Sequence, residues 1–182
     1  MEIIKTPISG LVIIKPRVFA DTRGFFYETY NEKSYLEAGI DLHFCQDNLS
    51  KSSYGVIRGL HYQLNPQSQS KLVSVVSGAV WDVAVDLRAA SPTFGQWYGV
   101  ELTEENHLQF LIPQGFAHGF SVISETADFS YKCDNFYSPT LERGIMYNDP
   151  ALAIDWKIPA DKAVISDKDM KHRLFADADK NF

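Results

Sequence analysis

The feature that most constrains this chain is its punctuation. Short runs of β-branched, aromatic and aliphatic residues follow one another, each closed by turn residues, and only two brief segments read as helix. The pattern predicts strands over Leu11–Lys15, Phe25–Tyr30, Phe44–Ser50, Val56–Gln63, Lys71–Ser77, Ala79–Leu87, Trp97–Thr103, Gln109–Ile112, Ala117–Ile123 and Ala127–Phe136. Between them stand turn signals such as Thr22-Arg23-Gly24, Ser53-Tyr54-Gly55, Ser77-Gly78, Ser91-Pro92 and Pro113-Gln114-Gly115.

Of the two helical segments, one is capped by Asn31, covers Glu32–Ala38 and ends at Gly39. The other follows Ser166, with Asp167-Lys168-Asp169 in its first turn. So many short strands predict an all-β chain closed as a jelly roll or cupin-like barrel with a few short helices. A length of 182 residues suits a single domain over 1–182, or one domain with an appended arm. Aromatic residues make up 13% of the chain, enough ring surface to fill a barrel interior or floor a pocket.

The formal net charge of −6 argues against a globally basic nucleic-acid surface. It leaves room for a local basic cluster that focuses its field on an anionic small molecule. No stretch approaches the roughly 20 apolar residues of a bilayer span, and Met1–Pro7 carries no charged-then-apolar leader, so the expectation is a cytoplasmic protein. Cys45 and Cys133 form no CxxC pair or ligand cluster, which reads as two buried thiols acting as small hydrophobes.

Period-two alternation says which side chains share a face. Phe129, Tyr131, Cys133, Asn135 and Tyr137 point one way, and Asp82 and Asp86 share a face opposite Trp81, Val83 and Val85. A polar face on a strand means solvent on a sheet and a lumen in a barrel; both readings stand at this point.

The stretch Arg58–Gln63 places a guanidinium, an imidazole at His61 and a phenol within one strand. Imidazole is the side chain best matched to proton abstraction near neutral pH. Strict alternation puts Arg58 and His61 on opposite faces. If both serve one pocket, Gly59 marks a bulge or a close backbone approach. Pro113–His118 has a PxGxxH spacing like that of a cupin motif whose His binds metal. Its partner motif is missing, since His61 is followed by Gln63 rather than a second His, so the expectation is a barrel without metal. Lys71 opens an otherwise apolar strand. With Arg23 and Arg58 it supplies cations for a diphosphate, which side chains must hold because no Walker loop or GxGxxG is present.

The segments Asp21–Glu28, Gln46–Asn48, Arg58–Gln63, Gln69–Lys71, Asp82–Asp86, Ser91–Gly95, Pro113–Phe120, Tyr131-Lys132, Glu142–Ile145 and Ser166–Asp169 run in order along nearly the whole chain. As an ordered set they resemble the dTDP-4-dehydrorhamnose 3,5-epimerases, cupin-fold enzymes of sugar-nucleotide synthesis. The resemblance implies epimerisation of a dTDP-linked 4-keto-6-deoxyhexose at carbons 3 and 5 without cofactor or metal. The ketone acidifies both neighbouring carbons; a base removes a proton to give an enolate, and an acid on the opposite face returns one. By resemblance His61 is the base, Asp169 its carboxylate partner, Tyr131 the proton donor and Lys71 the cation beside the enolate oxygen. His118, paired with Asp82, contacts the sugar. Arg23, Phe26, Glu28, Gln46, Asn48 and Arg58 resemble residues that hold the nucleotide, Tyr137 an aromatic that stacks on the pyrimidine, and Glu142 and Lys168 further binding positions. An exchanged N-terminal strand carries Arg23 and its neighbours into the partner's site, which implies a homodimer.

Read from composition alone, Asp169 is a solvated residue near the C-terminus. The chain departs from the family in the run Met170–Leu174, where a proline is usual. Relatives that invert carbon 3 or carbon 5 alone, 3,4-ketoisomerases, and a non-catalytic sugar- or nucleotide-binding cupin are the competing readings.

Overall fold

The alternating runs resolve into strands that pair antiparallel throughout the computed structural model, which describes residues 1–182. In chain order they are β1 (Glu2–Lys5), β2 (Val12–Lys15), β3 (Phe19–Asp21), β4 (Gly24–Phe26), helix α1 (Glu32–Glu37), β5 (Gln46–Ser53), β6 (Ile57–Gln63), β7 (Lys71–Ser77) and β8 (Ala79–Asp86). There follow β9 (Trp97–Thr103), β10 (Gln109–Ile112), β11 (Phe116–Val122), β12 (Thr126–Cys133) and β13 (Glu142–Gly144). One sheet has the order β1-β2-β10-β7-β12-β5, the other β13-β6-β11-β8-β9, and β3 and β4 form a hairpin of their own.

Three apolar layers hold this jelly roll together. The first packs Ile13, Val73, Phe110 and Phe129 of the six-stranded sheet against Val80, Leu102, Phe120 and Val122 of the five-stranded one. The second covers the outer face of the five-stranded sheet: Leu60, Val83, Val85 and Ala117 meet Ile145, Leu152, Trp156 and Ala178 from the C-terminal segment. In the third, Tyr35 of α1 seals Ile14, Leu72 and Leu111 on the other sheet's outer face. Burying one such aromatic or branched side chain is worth about 1.5–3 kcal/mol. β8 belongs to two layers at once, with Val80 and Ala84 inward and Val83 and Val85 outward, which is why it is almost continuously apolar. Asp82 alternates with them on the inward side and is fully buried, so the polar face of this strand is lumen and not solvent.

Several boundaries differ from the sequence reading. The run Phe25–Tyr30 is strand only to Phe26, because the chain leaves the hairpin to reach α1, where Asn31 Oδ1 accepts the Ser34 N–H at 3.2 Å. Three short strands escape the pattern: β1, β3 and β13 are three or four residues long and lie at sheet edges or in the isolated hairpin. The segment after Ser166 is a single 3-10 turn over Asp169–Lys171. Cys133 is buried as expected, but Cys45 is exposed; it lies just before β5, its N–H donating to the Cys133 carbonyl at 2.9 Å. No helix is long and apolar enough to cross a membrane.

Candidate active site

The β6–β11 pairing carries a bulge that decides the site. Arg58 pairs with Phe120 and His61 with His118, so Gly59 and Leu60 together face Gly119 alone. The extra residue reverses the alternation, and Arg58 and His61 line the same cavity, about 510 Å3, with Asn48, Lys71, His118 and Tyr131. Only glycine fits the bulge: Gly59 has φ of +134°, and a Cβ there would stand 2.6 Å from the Cα of Gly119.

The two sheets contribute opposite chemistry to this cavity. Arg58, His61 and His118 come from the five-stranded sheet; Lys71 on β7, Tyr131 on β12 and Asn48 on β5 come from the six-stranded one. Lys71 Nζ lies over the Tyr131 ring, 5.8 Å from its centroid. Burial lowers the affinity of Lys71 for its proton, against the pull of Cys133 and Asp82. Burial also raises Tyr131, so its phenol stays protonated well past neutrality.

His61 donates through Nε2 to Oδ1 of Asp169 at 2.8 Å, while Oδ2 accepts the Gly59 N–H at 3.3 Å. Asp169 is therefore tied both to the imidazole and to the bulge that aims it. It is 3% exposed, which overturns the composition-based reading of a solvated residue. Its N–H is held by Ser166 Oγ at 3.1 Å. Burial alone would raise its pKa, but hydrogen bonding from His172 and His61 outweighs that and keeps the carboxyl well below its usual range. His118 Nε2 contacts both carboxylate oxygens of Asp82, at 3.0 and 2.9 Å, in full burial. Desolvation pushes Asp82 up and His118 down, opposed by their mutual attraction.

At the rim a second set is linked by hydrogen bonds. Tyr137 Oη donates to Glu142 Oε2 at 2.9 Å, and Lys168 Nζ donates to the same oxygen at 2.7 Å. The Tyr137 N–H donates to Gln46 Oε1 at 3.1 Å, and Gln46 Nε2 to Asn48 Oδ1 at 3.0 Å, which leads back to the cavity. The Tyr137 ring itself is about half exposed, a free face for stacking.

Arg23, Phe26 and Glu28 are not brought to His61. Arg23 sits at the exposed tip of the β3–β4 hairpin, paired with Asp21 at 2.6 Å. Phe26 is 68% exposed, and it lines with Glu28 and Tyr35 a different cleft, of about 680 Å3. The sequence reading also missed His172, whose Nε2 comes within 3.3 Å of Asp169 Oδ1. Its signal was the spacing of three residues from Asp169, legible only once that segment is known to be a 3-10 turn. His61, Asp169 and His172 place three possible ligand atoms within 4.8 Å of one another. Asp169 Oδ1 is already the acceptor of His61 at 2.8 Å, while His172 Nε2 stands 3.3 Å from the same oxygen without a well-aligned hydrogen bond.

Comparison of the whole chain with known proteins shows what it is similar to. The model of a protein family described as dTDP-4-dehydrorhamnose 3,5-epimerase matches residues 5–177. A dTDP-4-dehydrorhamnose 3,5-epimerase of Shigella flexneri is 53% identical over 180 residues, 98% of each chain. The crystal structure of the Elizabethkingia anophelis NUHP1 enzyme of the same name superposes with a TM-score of 0.93 at 57% identity, covering 97% of each chain. A dTDP-6-deoxy-D-glucose-3,5-epimerase of Legionella pneumophila Philadelphia 1, solved in complex with dTDP-4-keto-L-rhamnose, superposes at 0.94 with 54% identity, covering 98% of this chain and 94% of that one.

Proposed function

The chain belongs to the dTDP-4-dehydrorhamnose 3,5-epimerase family, and we propose that it converts dTDP-4-dehydro-6-deoxy-D-glucose to dTDP-4-dehydro-L-rhamnose with His61 as base and Tyr131 as acid. The observation that carries this reading is the placement of an imidazole and a phenol on facing sheets of one cavity, with Lys71 beside the phenol. Because Nε2 of His61 is engaged with Asp169, Nδ1 faces the substrate. Asp169 accepts the Nε2 proton, fixes that tautomer and supports the imidazolium as it forms.

In each half of the reaction Nδ1 takes the proton from carbon 3 or carbon 5, and the C–H electrons move onto the ketone oxygen. Lys71 stabilises that enolate oxygen in a water-poor setting where charge is worth most. Tyr131 then gives its proton to the opposite face of the same carbon, and the resulting imidazolium and phenolate reset through solvent. His118, held by Asp82, orients the sugar. Arg58, Gln46 and Asn48 hold the nucleotide end, with Tyr137 stacking on the thymine and Glu142 and Lys168 framing it.

The remaining binding groups come from a second copy of the chain. Arg23, Phe26 and Glu28 lie on or beside a hairpin with no partner in its own sheet system, and a homodimer that exchanges it completes each site. We read residues 1–182 as one cupin-like domain acting in the cytoplasm.

Incubation with dTDP-4-keto-6-deoxyglucose in heavy water, with mass and NMR analysis, tests the function. Deuterium at carbons 3 and 5 with inverted product is expected. Label at one carbon indicates a single-centre epimerase, a displaced carbonyl a ketoisomerase, and saturable binding without label a binding protein.

A further inference from the structure

Asp169 lies against two imidazoles. Its Oδ1 accepts from His61 at 2.8 Å and lies 3.3 Å from Nε2 of His172, off the line of a well-formed hydrogen bond. Local sequence puts the second ring there. His172 follows Asp169 by three residues around one 3-10 turn, where positions i and i+3 stack over each other, and its own N–H bonds the Asp169 carbonyl at 3.3 Å. The ring rests on Gly144, where a Cβ would come within 2.3 Å of Nε2, and Gly144 is the direct cross-strand partner of His61. The two rings stand edge to face with centroids 5.4 Å apart. Nε2 of His172 is buried and makes no well-formed hydrogen bond, and the acceptor beside it is Asp169 Oδ1, so a proton on it is satisfied there or not at all.

We propose that His172 is a positioning residue of the epimerisation, donating to Asp169 Oδ1 and thereby both fixing that carboxylate and moderating its pull on His61. This rests on the reading of His61 as the base. Two donors on one oxygen share its charge, so each weakens the bond of the other.

The surrounding charges leave this balance to the two rings. The cleft outside His172 carries Glu142, Arg143, Lys168, Lys171, Arg173 and Asp179. Glu142 is taken by Lys168, and Asp179 by Arg143 and Arg173. On the cavity side His61 shares the pocket with Arg58, Lys71, His118, Tyr131 and Asp47, the last paired with Lys132. Asp169 is the one carboxylate within ion-pair distance of either ring.

The test compares His172→Phe, which keeps the ring shape without a donor, with His172→Gln, which returns a donor near the place of Nε2. In the Phe variant Asp169 binds His61 alone and holds its proton more firmly, so the acid limb of kcat/KM moves up by about half to one pH unit. That is about three- to tenfold slower turnover below the limb. The Gln variant stays near the parent profile. An unmoved limb in the Phe variant, or an equal shift in both variants, makes His172 a space-filler and overturns the proposal. Ring NMR of the unsubstituted protein gives an answer that does not depend on either variant folding: a slowly exchanging His172 Nε2–H that is lost in Asp169→Asn supports it, and its absence overturns it. His61→Asn is the control. If that variant still turns over, the base assignment falls; if it is dead while the Phe variant keeps the parent profile, only the role of His172 falls.

Discussion

Replacing Gly59 by alanine attacks the one point where backbone geometry makes the site. At φ of +134° an L-residue is strained by about 1–2 kcal/mol. The added Cβ would stand 2.6 Å from the Gly119 Cα, against an ordinary contact of about 3.5–4.0 Å. Strand β6 or β11 must therefore move by about 1 Å, and forced repacking of that kind costs about 1–3 kcal/mol more. The sum, about 2–5 kcal/mol, is a large share of the roughly 5–15 kcal/mol that holds a domain folded. A shift of about 1 Å at His61 lowers turnover by about a hundredfold even in molecules that remain folded. Urea unfolding with a check on the m-value measures the first effect, and kcat/KM with solvent-deuterium exchange the second. Gly39→Ala is the control, since Gly39 has φ of +83° but nothing within 4 Å of a Cβ, so it carries the strain without the collision. If Gly59→Ala lost no more stability than Gly39→Ala and kept kcat/KM within about twofold, the bulge would not be what aims His61.

Three further outcomes follow from the same geometry. Tyr131→Phe slows reprotonation more than abstraction, so deuterium exchange persists while product formation falls by about 10²–10³-fold; unchanged product formation removes Tyr131 as the acid. Burial lowers Lys71, so the rate declines on the alkaline side below the ordinary lysine value of 10.5, and Lys71→Met loses about 10²–10³-fold in kcat, which initial rates across pH measure. Asp86 is held down to about 2: burial works to raise it, but bonds from Arg88, Ser91 and Thr93 prevail. A depressed carboxylate stabilises the fold above its ordinary value of 3.8 and loses that contribution as pH falls through about 2, so Asp86→Asn costs about 2 kcal/mol near neutrality and flattens acid unfolding between those values.

The strands that carry the core were legible because their alternation is enforced by burial on defined faces, as in Val80, Asp82 and Ala84 against Val83 and Val85. The strands that were missed lie at edges, where three or four residues pair without having to be apolar. Gly59 announced the bulge, because Arg58 and His61 cannot share a pocket without one. Whether Asp82 faced water or lumen was not legible, since that depends on which sheet closes over the strand. Asp169 was recognisable by its motif but not by its physics: its burial comes from a turn docking on β6 from far along the chain. Arg23 matched a binding position that one chain does not bring to the cavity, because it sits at the exposed tip of a hairpin that pairs with neither sheet.

That docking turn also sets the order in which the catalyst comes into being. His61 and Asp169 are 108 residues apart, and the strands of both sheets, β13 included, have been synthesised before Ser166 leaves the ribosome. Every strand of the barrel is therefore available for pairing before the imidazole's carboxylate is, because Asp169 follows all of them in the chain. Beyond the dyad, the Asp179 carbonyl accepts from Tyr62 Oη at 2.6 Å on the strand that bears the base, and the Phe182 carbonyl accepts from the Ala89 N–H at 3.1 Å just after β8. The base on β6 thus draws its carboxylate from a segment that follows every strand of the two sheets, and the dyad exists only while that segment stays docked.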